Sequence, residues 1–200
     1  MQGLNTFAPS WFYRSKFTPK QVSQIKVLFK EWLEDESNFT PRWRCNVQTS
    51  FNQSTNDKAP WNRFFDALNF VVEGFSDVTD CTANQIKCGE VWANIYNKGD
   101  FQEYHTHSAS QGNISFVYFH TVPTKDSLFS FYSNSFELYE MTGLSDVLNN
   151  IPLKQARTDI ENIKEGDIIL FPAHYPHLVD PNPGNQKRIT FSGNLQIINI

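Results

Sequence analysis

The sequence predicts a mainly β protein with N-terminal helices, its strands forming a sandwich or barrel and the helices packing against one face. Three observations carry this. Apolar residues recur at helical spacing through about the first 80 positions. From about residue 85 the period changes to two, in short segments rich in β-branched and aromatic residues. Clusters of Gly, Pro, Asn and Asp separate those segments, as they do in all-β sandwiches and barrels.

The elements follow in order. Thr18-Pro19-Lys20-Gln21 has a capping Thr, a Pro suited to the first turn and a Gln three residues on, which together predict a helix start. Val22, Ile25, Leu28, Phe29 and Leu33 then form an apolar stripe through about Asp35. Residues 43–51 read as a short strand and 52–58 as a polar loop. Ala59-Pro60 opens a second amphipathic helix in which Phe64, Leu68, Val71, Val72 and Phe75 share a face. The predicted strands are 90–96, 113–121, 127–132, 167–171 and 188–198, and the insertion 138–150 reads as a helical lid. There is no internal repeat. The helical half depends on the sheet for its core, so residues 1–200 are expected to form one domain, with 1–84 a mainly helical support and 85–200 the β core.

Composition narrows the function. With 200 residues, 40% hydrophobic and 19% charged, the chain can bury a core without disulfides and is neither disordered nor collagen-like. A net charge of −4 argues against a nucleic-acid partner, because binding a phosphate backbone draws on a dense excess of Lys and Arg. No apolar run approaches the roughly 18 residues that a membrane helix needs, and residues 1–17 lack an export pattern. The expectation is a protein of the cytoplasm, the host's if the source is viral, with no membrane partner. Cys45, Cys81 and Cys88 are odd in number and form no C-x-x-C, which predicts reduced thiols. The N-x-S/T triplets at Asn38, Asn52 and Asn113 then carry no glycan.

All five histidines lie in the second half: His105, His107, His120, His174 and His177. In His105-Thr106-His107 an extended backbone points both imidazoles to one side, so they can converge on one ion. A third ligand would come from His174 or His177, just after the apolar run Ile168 to Phe171. Neutral nitrogen ligands suit Zn, Fe, Ni or Cu rather than Mg or Ca. An H-x-H alone is a common surface accident, and its company gives it weight. Arg188 opens an apolar strand eleven residues past His177, and a desolvated guanidinium requires an anion. Most of the eighteen Phe, seven Tyr and five Trp are expected to be core, as is His120.

Four ordered blocks carry a family resemblance: Trp92-Ala-Asn94-Ile-Tyr96 through Gly99-Asp100 to His105-Thr-His107; Ile114 to Tyr118; Gly166 to Pro172 with His177; and Arg188-Ile-Thr190 to Asn194. Over about half the chain the sequence resembles the 2-oxoglutarate and Fe(II)-dependent dioxygenases, most of all prolyl-hydroxylase-like members of a group common in bacteria and phages. The resemblance implies a double-stranded β-helix, a cupin-like jelly roll, with iron held by a His-x-Asp/Glu pair and a distal His. By position, His105 is the first ligand and His177 the distal one, and His174 falls at a non-ligand rim position. Arg188 and Thr190 match the pair that grips the far carboxylate of 2-oxoglutarate, and Tyr96 and Asn94 match strand positions facing the same co-substrate. Tyr118 is expected to be core.

The departure from the family is His107, where most members carry a carboxylate, which leaves the metal one unit more positive. The closer group has His-x-His, so His107 is taken as the third ligand. Glu103, two residues before His105, and His174 remain alternatives. The implied cofactors are Fe(II) and 2-oxoglutarate. The implied reaction consumes O2, converts 2-oxoglutarate to succinate and CO2 and hydroxylates a small-molecule or peptide substrate, with no catalytic side chain beyond the metal ligands. Two other functions fit the residues: a cupin-like three-histidine metal protein of different chemistry, with Arg188 holding another anion, or a jelly-roll module without catalysis. Selectivity is expected from the 52–58 loop and the 138–150 insertion.

Overall fold

In the computed structural model, which describes residues 11–45, 47–80, 86–107, 112–123, 129–132, 141 and 157–198, the capping box at Thr18 forms as its sequence requires. The Thr18 hydroxyl accepts from the Gln21 amide at 3.3 Å and Gln21 Oε1 accepts from the Thr18 amide at 2.8 Å, which starts α1 (Pro19–Glu34). Ile25 and Phe29 are buried, and Val22 and Leu33 pack against the same core. Leu28 is 44% exposed, a correction to the predicted stripe. The stripe is narrower because α1 meets the sheet through Phe29, whose ring lies 4.7 Å from that of Phe191; Leu28, about 100° round the helix, faces outward. The second helix, α2 (Trp61–Thr79), buries Phe64, Leu68, Val71, Val72 and Phe75 as its spacing predicts.

All five predicted strands form, and among the described residues six further short ones join them. The strands are β1 (Tyr13–Lys16), β2 (Thr40–Arg42), β3 (Val47–Thr49), β4 (Ile86–Tyr96), β5 (Gln102–His105), β6 (Ile114–Thr121), β7 (Phe129–Tyr132), β8 (Arg157–Asp159), β9 (Asp167–Pro172), β10 (His177–Val179) and β11 (Arg188–Ile197). Residues 43–51 are not one strand, since β2 and β3 pair antiparallel across a turn. The turn carries no Gly or Pro to announce it. Trp43 itself takes a φ of 59°, a left-handed conformation that bulky residues seldom adopt. The 52–58 loop contains a single 3-10 turn at Asn56–Lys58. Apart from Met141, the predicted lid at 138–150 lies outside the described residues.

The strands make a jelly roll of two antiparallel sheets, one of seven strands in the order β1-β9-β6-β11-β4-β3-β2 and one of four in the order β5-β10-β7-β8. Period-two alternation divides each central strand of the larger sheet between two cores. Val91, Ala93, Ile95, Phe116, Tyr118, Ile168, Leu170, Phe191 and Leu195 face the helices. Val117, Phe119, Ile169 and Phe171 face the smaller sheet, where they meet Phe129 and Val179. The same alternation turns Trp92, Asn94 and Tyr96 of β4, and Thr190 and Ser192 of β11, into the space between the sheets. Gly193 lets β11 approach its neighbours, since a Cβ there would stand 2.5 Å from Phe116 Cζ and 2.8 Å from the Glu90 carbonyl. None of the described helices is long and apolar enough to cross a membrane.

His120 sits on the helix-facing side of β6. Its ring lies 5.0 Å from that of Phe191, its Nδ1 meets Thr121 Oγ1 at 2.9 Å, and its Nε2 is buried without a partner. Burial, helped by the charge of Lys26, pulls its pKa down to about 4. The unfolded chain takes up this proton near pH 6.5 and the folded protein only near 4, so stability falls as pH drops through that window, by roughly 3 kcal/mol. Urea denaturation at pH 7 and pH 4 is expected to show His120→Leu losing that much less stability than the parent protein.

Candidate metal centre and its cavity

Strand register assembles the histidines. On the paired strands β5 and β10, His105 stands directly opposite His177, with ring centroids 4.1 Å apart. His107 follows just beyond the end of β5, where its amide donates to the Ala173 carbonyl at 2.9 Å. Its ring lies 5.4 Å from that of His105 and 5.3 Å from that of His177. The three offer one nitrogen each within 4.8 Å of one another, the signature of a metal-binding cluster.

The outward nitrogens decide what the inward ones can do. His105 Nδ1 lies 2.7 Å from the Glu103 carbonyl and His177 Nδ1 lies 2.8 Å from the Tyr175 carbonyl. A carbonyl only accepts, so each Nδ1 carries the proton and each Nε2 is left with a lone pair. His107 Nδ1 lies 2.8 Å from Asn194 Oδ1 and 2.9 Å from Ser115 Oγ. Burial lowers the pKa of all three imidazoles, and mutual repulsion adds to it for His105 and His177. They are therefore neutral near pH 7, the form that ligates.

The other two candidates stand outside the three-nitrogen cluster, although Glu103 lines the same cavity. The Glu103 carboxylate accepts from the Arg44 amide at 3.3 Å and from Gln102 Nε2 at 3.2 Å. Burial opposes its ionisation, but the Cys45 thiol, the backbone amides of Glu103 and Arg44, and His105 outweigh that and hold its pKa below the usual carboxylate range. Those contacts engage it with the β2–β3 hairpin, outside the three-histidine cluster. His174 is exposed, its ring 4.8 Å from that of Tyr175.

The imidazoles line a cleft of about 200 Å³ that opens to solvent beside Trp43 and Thr106. One wall is polar: Asn94, Tyr96, Thr190 and Ser192. Another is aromatic: Trp92, 5.9 Å from the His107 ring, then Phe51, then half-exposed Trp43. Arg188 stands beside the polar wall, 1% exposed, its guanidinium 4.6 Å from the centre of the Tyr96 ring. Its Nη2 donates to the Asp180 carbonyl at 2.6 Å, whereas Nε and Nη1 are buried without partners. Burial lowers the pKa of Arg188, against the pull of Tyr96, Asp180 and Asp100. Two unpartnered N–H groups on a buried cation call for an anion. The Tyr96 hydroxyl, bonded to Thr190, is pushed up to about 12 by burial although Arg188 works the other way.

Sequence reasoning missed Ser115, Asn182, Ser192 and Asn194, all of them buried. Parity alone could have found two of them, because Ser192 and Asn194 continue the face that Arg188 and Thr190 begin. Asn182 had no such signal. Its Nδ2 donates to the carbonyls of Tyr96 at 3.0 Å and Gln186 at 2.7 Å, its amide donates to Asp100 at 2.9 Å, and its carbonyl accepts from Gly99 at 2.8 Å. It thereby ties the turn after β4 to the loop that leads into Arg188.

A family model described as a 2OG-Fe(II) oxygenase matches residues 90–194. No curated protein matches the chain by sequence. Among solved structures, the fold is similar to that of a Pseudomonas putida prolyl-4-hydroxylase, with a TM-score of 0.62 and 14% identity over 95% of this chain and 94% of that one. It is similar to HygX from Streptomyces hygroscopicus with nickel and 2-oxoglutarate bound, with a TM-score of 0.60 and 12% identity over 94% and 83% of the two chains. The epimerase SnoN in complex with Fe3+, alpha ketoglutarate and nogalamycin RO gives a TM-score of 0.65 at 9% identity, over 94% and 79%.

Asn182→Ala would leave the Tyr96 and Gln186 carbonyls without their side-chain donor. The expected loss is about 1–3 kcal/mol of unfolding free energy by chemical denaturation, and an unchanged midpoint would show that the clamp contributes nothing.

Proposed function

Because the chain belongs to the 2OG-Fe(II) oxygenase family, we propose that His105, His107 and His177 hold its Fe(II) through Nε2, and that Arg188, Thr190, Tyr96 and Asn94 bind its 2-oxoglutarate. One observation carries the metal assignment: three neutral imidazoles converge on one point, and the carbonyls at Nδ1 of His105 and His177 leave their Nε2 lone pairs free, a donor set that fits Fe(II). Iron(II) bound there supplies the activation of O2 that couples conversion of 2-oxoglutarate to succinate and CO2 with insertion of one oxygen atom into a C–H bond of a second substrate.

The chain's own residues bind, orient and exclude water. Arg188 has two N–H groups for the far carboxylate of the co-substrate, and its burial strengthens that ion pair by removing competing water. Thr190 and Tyr96 add hydroxyls beside it, and Asn94 an amide. With three neutral ligands the metal keeps its full charge, so the co-substrate dianion is also the counter-charge of the site. The second substrate, a small molecule or a peptide, approaches along the Trp43–Phe51–Trp92 wall, the cavity side opposite to these polar groups in character. The described part of residues 1–84 serves as support: α1 and α2 cover the larger sheet and β1 to β3 extend its two edges.

Succinate and CO2 release, measured with Fe(II), ascorbate and 2-oxoglutarate, tests this. The parent protein is expected to turn over 2-oxoglutarate, and His105→Ala to lose at least 100-fold. Arg188→Leu is expected to retain metal while weakening 2-oxoglutarate binding at least 10-fold, since a buried charge-assisted pair is lost. A parent protein that binds neither Fe(II) nor 2-oxoglutarate would overturn the reading.

A further inference from the structure

We propose that Asn194 and Ser115 are positioning residues that set the tautomer of His107, an inference that rests on reading His107 as the third iron ligand. The other two imidazoles are oriented by main-chain carbonyls two residues before them. His107 has side chains instead. Asn194 and Ser115 stand directly opposite each other on β11 and β6, with exposures of 0% and 1%. They close a triangle with the ring: His107 Nδ1 to Asn194 Oδ1 at 2.8 Å, His107 Nδ1 to Ser115 Oγ at 2.9 Å, and Ser115 Oγ to Asn194 Oδ1 at 2.8 Å.

That triangle has two proton arrangements, and only one of them ligates. If the Ser115 hydroxyl donates into Nδ1, the imidazole proton sits on Nε2 and blocks the lone pair that should face the metal. If Nδ1–H donates to Asn194 Oδ1, Nε2 is free. The carbonyl oxygen of Asn194 has two lone pairs and accepts both protons, from Nδ1 and from Ser115, so it draws the hydroxyl proton away from the ring. Asn194 therefore selects the ligating form, and Ser115 Oγ, with its own proton given to Asn194, offers Nδ1–H a second acceptor. A stronger acceptor at position 194 makes the imidazole a better donor to the metal, as carboxylate partners of ligating histidines do.

The test is Co(II) titration of the full chain, followed by visible absorption, with the apo melting temperature measured for each variant. Asn194→Leu is expected to weaken Co(II) binding 10- to 100-fold and Ser115→Ala several-fold. Asn194→Asp, isosteric and still an acceptor, is expected to restore or exceed the parent affinity. Equal weakening by the Leu and Asp variants would mean a packing role and overturn the proposal. Parent-like affinity in Asn194→Leu, with His107→Ala defective, would overturn it while leaving the ligand assignment intact. Parent-like affinity in His107→Ala would overturn both. If Asn194→Leu does not fold, Asn194→Ala takes its place, and parent-like affinity there rejects the proposal.

Discussion

The site depends on where three protons sit. Three imidazoles packed against one another in a cleft repel if charged and are useless to a metal if their inward nitrogens are protonated. Burial removes the charge, and the hydrogen bonds on the outer nitrogens place the remaining proton. Both conditions need a rigid frame, because a carbonyl that drifts by an ångström no longer decides a tautomer. The frame is the smaller sheet, in which β10 is paired on both sides, to β5 and β7, and is backed by Phe129 and Phe171, whose rings lie 5.5 and 4.9 Å from that of His177.

The second polar centre follows from the same division of faces. On β11 the odd–even alternation gives Phe191 and Leu195 to the helix-facing core and Arg188, Thr190 and Ser192 to the interior between the sheets. An arginine there is destabilising by itself, since only one of its nitrogens has a hydrogen-bond partner among the described residues. The protein keeps it in place with the Tyr96 ring and with a loop that Asn182 ties to the turn after β4. The cation is thus fixed in place by folding alone, which has already met its desolvation.

Much of this was legible in the sequence because it is local. The Thr18 capping box, the stripe of α2, the alternation in the long strands and the His105-Thr106-His107 spacing all lie within a few residues of each other. What escaped depends on partners far apart in the chain. His107 and Asn194 are separated by 87 positions, and Asn182 and Tyr96 by 86; such pairs exist only once the register is set. Strands β5, β8 and β10 are three or four residues long and of mixed polarity, too short for a period to emerge. Leu28 shows the reverse limit: a residue can satisfy helical spacing and still face outward when the contact is a narrow stripe through Val22, Ile25, Phe29 and Leu33. The choice among His107, Glu103 and His174 likewise depended on placement, because composition offers all three and the fold brings one of them to the other two histidines.

The most direct test of this account is the tautomeric state of His105, His107 and His177 in the metal-free protein, read from imidazole nitrogen-15 NMR near pH 7. The account predicts three neutral rings protonated at Nδ1, with Nε2 bare in each. A ring protonated at Nε2, or one that is doubly protonated at that pH, would contradict it.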